Sequence, residues 1–258
     1  MVAAISFFVG HWYLSLFSQT FFLHRYSAHK MFTMNKFWEK FFYLLTYISQ
    51  GSSYLNPRAY AVLHRMHHAF SDTEHDPHSP HHTKNIFTMM WKTKDIYNSV
   101  LQYKQKVEDR FDRDFPEWKT IDKIGDFWGS RILWGIGYIA FYVVGYMYFD
   151  VHWAFFFLLP IHFLMGPIHG AIVNWSGHKY GYQNFDNRDE SKNSLVLDFL
   201  MMGELFQNNH HKHPMSINFA KKWYEIDPTY PVIKLLSWAK IITPKKVAVK
   251  SPDTHHDF

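Results

Sequence analysis

Eight histidines fall in four short patches: His24 and His29 in HRYSAH, His64, His67 and His68 in HRMHH, His178 closing the run NWSGH that opens at Asn174, and His210 and His211 in QNNHH, which opens at Gln207. Imidazole is the commonest nitrogen ligand of first-row transition metals. On a helix, residues three and four apart share a face, so His64, His67 and His68 project together, and Gln207 sits one turn before the His210–His211 pair. His24 and His29 are five apart, which on a regular α-helix places them ~140° apart and suits ligands straddling a metal near a helix end. A lone histidine such as His11, His152 or His162 is read as an ordinary hydrogen-bonded residue. Four patches, each following directly on an apolar segment, need a shared reason, and a metal cluster is the usual one.

The chain has 19 histidines and no cysteine. Thiolate metal sites, disulfides and a cysteine nucleophile are excluded, and no HExxH run marks a zinc protease. Many imidazoles with few acids favour a mid to late first-row metal, and iron is the one whose redox chemistry a site at bilayer level would use. Two irons with dioxygen make an oxidant able to take hydrogen from an unactivated methylene, which no side chain can do alone. Asp72, Glu74, Asp76, Asp198 and Glu204 stand close enough in sequence to the patches to accept imidazole N–H bonds.

The elements that must position these residues are apolar. Met1 to Leu23 carries no formal charge, and Ile132 to Phe149 and Trp153 to Trp175 are separated by three residues, the short joint of a transmembrane hairpin. Pro160 and Pro167 should kink the second arm. Phe37 to Leu55 places Phe37, Phe41, Leu44, Leu45 and Ile48 at helical spacing and reads as an interfacial helix, because a crossing there would put the first two patches on opposite sides. Residues 81–131 and 179–244 form a cytoplasmic cap, the first part expected to be mostly helical, and the tail from Lys245 to Phe258 is expected to be frayed.

All 258 residues are expected to form one unit. The mean hydropathy of −0.26 conceals the apolar spans, because a charged cap shares the chain with them. No Lys or Arg occurs before Arg25 or between Ile132 and His178, the pattern of a multi-pass protein whose basic side faces the cytoplasm. The net charge of +5 comes from bases interleaved with acids and forms no nucleic-acid motif, so a membrane surface explains it better. The fold class expected is an all-α integral membrane protein.

With its four patches, the DPH run from Asp76 to His78, NWSGHKYGY and GELFQNNHHKHP, the chain resembles the membrane fatty acyl desaturases of the stearoyl-CoA desaturase type, especially their compact bacterial members. The resemblance implies a di-iron enzyme of the bacterial inner membrane that inserts a cis double bond into an acyl chain, carried on CoA, a carrier protein or a lipid, using dioxygen and electrons from a separate donor such as a ferredoxin or b-type cytochrome. It also implies that one iron is held by His24, His29, His64, His68 and His210, and the other by His67, His178 and His211 with Asn174 acting through a water. Acyl-CoA members place a histidine where this chain has Gln207, so the second site is expected to be looser, or bound through the amide oxygen or a water. The alternatives are a lipid or alkane hydroxylase built on the same histidine patches and, from another class, a non-catalytic membrane metal-binding or transport protein.

Overall fold

The computed structural model describes residues 1–245, and the expected frayed tail lies outside them from residue 246 on. The described residues are helical with one small sheet. α1 (Val2–Phe17) continues unbroken into a π-helical segment, Ser18–Ala28, so the first helix runs past Leu23 through the first histidine patch. Its last turn is closed by the His29 N–H donating to the His24 carbonyl at 3.1 Å, an i→i+5 bond of the kind found mostly at functional sites. β1 (Phe32–Met34) follows.

α2 (Lys36–Gln50) begins where the Asn35 side chain accepts from the Trp38 N–H. It ends short of Leu55 because Gly51 takes φ +51°, where a Cβ would lie 1.9 Å from the Tyr138 hydroxyl. Phe37, Phe41, Leu44 and Ile48 face outward, while Glu39, Thr46 and Gln50 are buried. The helix is thus amphipathic as read, with its apolar stripe on the outside.

α3 (Pro57–Phe70) has Asn56 as its cap and Pro57 in its first turn, and α4 (Ile86–Leu101) starts on a reciprocal Asn85–Thr88 capping box. α5 (Lys119–Asp126) comes only after an irregular stretch, residues 102–118, so this part of the cap is less helical than the sequence suggests. Arginines of α3 bind main-chain carbonyls around that stretch: Arg58 takes the Val100 oxygen at 2.9 Å and Arg65 the Phe111 oxygen at 3.0 Å. Backbone acceptors satisfied from outside have no need of a helix.

α6 (Trp128–Tyr148) is the first arm of the hairpin. The second arm is broken: a 3-10 turn (Trp153–Leu158) leads into α7 (Leu159–Phe163), and α8 (Met165–Lys179) departs at 72°. Pro160 and Pro167 flank the break and donate no backbone hydrogen bond. Among the described residues no single helix is long and apolar enough to cross a bilayer alone. Two pairs, each bent at a short break, reach the needed length and apolar composition only when taken together, residues 119–126 with 128–148 and 153–163 with 165–179. The bend between α7 and α8 is the kink that Pro160 and Pro167 suggest, and the first helix runs on past the span expected at 1–23.

α9 (Leu195–Asp198), α10 (Gln207–Lys212) and α11 (Thr229–Trp238) precede β2 (Ile242–Pro244), which pairs antiparallel with β1 in the register Phe32↔Pro244 and Met34↔Ile242. The main core, including Phe21, Phe22, Phe32, Phe42, Phe206 and Phe219, joins the π segment to α2 and the C-terminal third. This packing brings α10 beside the end of the first helix.

Candidate metal centre

Four elements each deliver one patch. The π segment ends on His24 and His29, α3 carries His64, His67 and His68, α8 carries Asn174 and His178, and α10 carries Gln207, His210 and His211. The eight histidines gather in two groups. In the first, His24, His29, His64, His68 and His210 each offer a ring nitrogen within 4.8 Å of the others, and in the second His67, His178 and His211 do the same. His24 Nε2 lies 3.0 Å and His68 Nε2 2.9 Å from His210 Nε2, and His29 Nε2 lies 2.6 Å from His64 Nε2. The π backbone overturns the 140° separation expected for His24 and His29: an i→i+5 ladder brings them to one side, with ring centroids 5.1 Å apart.

Carboxylates fix the rings. The Nδ1–H of His67 donates to Asp76 Oδ2 at 2.9 Å, that of His178 to Asp72 at 2.8 Å, that of His211 to Asp189 at 2.7 Å, and that of His24 to Glu204 at 2.7 Å. A neutral imidazole protonated at Nδ1 keeps its lone pair on Nε2. The Nε2 atoms of His67, His178 and His211 are buried and have no hydrogen-bond partner. Three orphaned buried acceptors, each costing about 1–3 kcal/mol, converge on one point. A cation there would satisfy all three at once, and imidazole donors without thiolate suit iron among other first-row metals.

Of the acids proposed from sequence, Asp72, Asp76 and Glu204 meet a histidine. Asp198 instead accepts from the Leu205 N–H, and Glu74 is exposed. Asp189, the partner of His211, was missed because it sits in the run DNRDE, which looks like any solvated acidic surface. Also missed was Arg25, fully buried over the Phe219 ring, bonded to Glu204 Oε1 at 3.2 Å and to Asp227 Oδ2 at 2.8 Å. Removing one partner of such a buried pair costs about 3–5 kcal/mol. His78 of the DPH run is buried with neither ring nitrogen partnered, its ring centroid 4.5 Å from that of His67.

Electrostatics keep most of these rings neutral. Burial, then repulsion from neighbouring imidazoles, holds His29, His64, His68 and His210 well below the usual histidine value. Burial likewise lowers His211 to about 4 against the pull of Asp189, and His78 to about 3. For His67, burial is outweighed by Asp76, which raises its affinity for a proton; burial of Asp76 is in turn outweighed by His67, which holds that carboxyl far below its ordinary range. Asp76 thus favours positive charge on the His67 ring, which a cation at Nε2 would supply in place of the proton.

A cavity of about 860 Å³ runs between this centre and the surface, lined by His24, His64, His67, Asn174 and Gln207 at one side and by exposed Phe87, Trp91 and Trp128 at another. Its walls between them are mainly apolar, as a binding site for a hydrocarbon requires. Tyr54 and Phe163 line it, while Phe37 and Phe41 face outward. Gln207 packs on Gly177, where a Cβ would lie 2.5 Å from its Cγ, and its amide nitrogen donates to the Glu204 carbonyl. His11, His162 and His152 hold the ordinary roles read for them: the first two bond to each other through Nδ1 at 2.6 Å, and His152 caps the Ala154 N–H.

The helical scaffold thus closes two imidazole groups that could hold metal over the end of an apolar cavity, and comparison with known proteins names the family. The family model described as fatty acid desaturase matches residues 1–237. The chain is 28% identical over 249 residues to the Delta-9 desaturase-like 5 protein of Arabidopsis thaliana, covering 91% of this chain and 74% of that one. It is 30% identical over 243 residues to the acyl-CoA 5-desaturase AL21 of Anemone leveillei, covering 90% and 68%. To the sn-1 stearoyl-lipid 9-desaturase of Anabaena variabilis it is 29% identical over 232 residues, covering 88% and 78%. The chain belongs to the fatty acid desaturase family and is an oxidoreductase.

Proposed function

We propose that this chain is a di-iron desaturase of the membrane, a single unit over 1–258 that inserts a cis double bond into a fatty acyl chain. The observation that carries the reading is the convergence of the unpartnered Nε2 atoms of His67, His178 and His211 beside the five-imidazole group, at the end of an apolar cavity. One iron is assigned to His24, His29, His64, His68 and His210, and the other to His67, His178 and His211, with Asn174 acting through a water and Gln207 through its amide oxygen or a water. When bound, the iron pair supplies the oxidising power that side chains lack.

The reaction balances as follows. Dioxygen takes four electrons and four protons in becoming two waters, of which two electrons and two protons leave adjacent methylenes as the alkene forms. The other two electrons come from a donor protein such as a ferredoxin or b-type cytochrome, with two protons from solvent. The chain's own residues bind and orient: Asp72, Asp76, Asp189 and Glu204 hold four rings in the tautomer that presents Nε2 to a metal. The cavity holds the acyl chain and excludes water from its reacting carbons.

Membrane placement is supported by outward apolar side chains on α6 and α2. Leu133 is 70% exposed and Phe37 68%, more apolar surface than a water-soluble face carries, and Trp128 and Trp153 suit the interface. We assign the basic cap and the metal centre to the cytoplasmic side, in a bacterial inner membrane. Expression in a host lacking its own desaturase tests the reading. New monounsaturated chains are expected from the wild type and none from His64→Ala, and equal unsaturation in both would overturn it.

A further inference from the structure

A second cavity, of about 550 Å³, shares no wall residue with the apolar one. Lys30, Lys36, Arg65, Arg110, Arg113 and Lys245 line it, against only two carboxylates, Glu39 and Asp114. His29 lines it too, the same ring whose Nε2 lies 2.6 Å from His64 Nε2 in the five-imidazole group. The metal centre is therefore approached from two sides, by an apolar cavity that touches His24, His64 and His67 and by a basic cleft that touches His29.

Arg65 belongs to the frame of the cleft, tied to the Ala28, Ser27 and Phe111 carbonyls. The side chains of Lys36, Arg110 and Arg113 are 86%, 54% and 68% exposed, and their ion pairs with Glu39, Glu108 and Asp114 are local ones. The Arg110 and Arg113 pairs are exposed on both sides and held weakly in water, so these two cations are free to turn toward another anionic surface, while Lys36 adds its charge from a pair with the buried Glu39.

We propose that this cleft is the docking site of the reductant, a small acidic one-electron carrier protein that sits on Lys36, Arg110 and Arg113 and passes its electrons through the His29 ring. The proposal rests on the desaturase reading. Each docking event oxidises one carrier by one electron, and two events supply the pair of electrons that dioxygen needs beyond those taken from the substrate. The acyl group has its own cavity, and an anionic head group attached to it must lie at that cavity's mouth, which has no wall in common with the cleft. An electron, by contrast, needs only a short path, and His29 provides one from a solvent-facing surface into the centre. Positive charge around that surface steers and orients an acidic partner.

The test uses the iron-loaded protein in zwitterionic nanodiscs, with two probes, a plant-type [2Fe–2S] ferredoxin and the soluble domain of a b-type cytochrome. Binding of each is measured against ionic strength for the wild type and for the double variant Arg110→Glu with Arg113→Glu. At least one probe should bind the wild type with an affinity that falls steeply with salt, and the variant should bind it about tenfold or more weakly with a flatter salt dependence. Iron content should be unchanged. No binding of either probe by the wild type, or equal binding by the variant, overturns the proposal. So does a variant that loses only its attachment to phosphatidylglycerol vesicles, which would make the cleft a lipid contact. Wild-type turnover driven by dithionite separates the two readings: alkene formed under that reductant keeps the desaturase function intact even where docking fails.

Discussion

His178 and Asp72 lie 106 residues apart in the chain, yet the imidazole Nδ1–H meets the carboxylate at 2.8 Å. Asp72 is held for this task by the Glu190 N–H at 2.9 Å and the Ser79 hydroxyl at 3.0 Å. The bond joins the loop after α3 to the end of α8 and decides which nitrogen of His178 carries the lone pair. Loss of such a partner typically costs 10–100-fold in metal affinity. Asp72→Ala is therefore expected to weaken iron binding by about that factor, measured by competition with a chelator. Unchanged affinity would show that the carboxylate does not tune the ring.

Gln207 opens α10 and lines the apolar cavity together with His67 and Asn174. An amide is a weaker donor to iron than an imidazole. Gln207→His is expected to slow the loss of iron to a chelator, and Gln207→Ala to hasten it. A histidine variant that releases iron faster than the wild type would remove Gln207 from the centre.

Acid should destabilise the metal-free protein. His29, His64, His68 and His210 are held below the ordinary value of 6.5, His211 at about 4 and His78 at about 3, so between those values and 6.5 the unfolded chain binds more protons than the folded one. The stability these neutral rings contribute is complete above about pH 6.5 and is lost as pH falls toward 4. His67, whose proton affinity is raised in the fold, opposes the trend, as does Asp198, whose carboxyl burial pushes up to about 8, but the lowered imidazoles outnumber them. Denaturant titrations of chelator-treated protein should give a steadily lower unfolding free energy from pH 7 to pH 4.5. A rise over that interval would mean that the rings are protonated in the fold.

Gly51 ends α2 with a positive φ and leaves no room for a side chain beneath Tyr138. Gly51→Ala is expected to cost about 2 kcal/mol or more, read as a lowered midpoint of thermal unfolding in detergent. An unshifted midpoint would show that α2 and α6 are not held at this contact.

The sequence made some of this legible and hid the rest for definite reasons. His64, His67 and His68 could be placed on one face because α3 is a regular helix, and their spacing is a direct readout of its period. His24 and His29 could not, because π-helical hydrogen bonding leaves no mark in the pattern of apolar residues. The outward stripe Phe37, Phe41, Leu44 and Ile48 was visible as periodicity, but Gly51, which cuts the helix short, acts through a contact with Tyr138 far along the chain. The break at Leu164 was signalled by Pro160 and Pro167, though not its angle. Asp189 and Arg25 escaped because their roles depend on partners brought close only by tertiary packing, and nothing local distinguishes them from surface charges.

The central claim is that two sets of imidazoles hold two irons. Anaerobic titration of the purified metal-free protein with ferrous iron, read by elemental analysis and Mössbauer spectroscopy, tests it most directly. Two irons per chain in nitrogen- and oxygen-rich environments are expected, reduced to about one in His178→Ala. Saturation of the wild type at less than one iron per chain, or full retention of both in that variant, would contradict it.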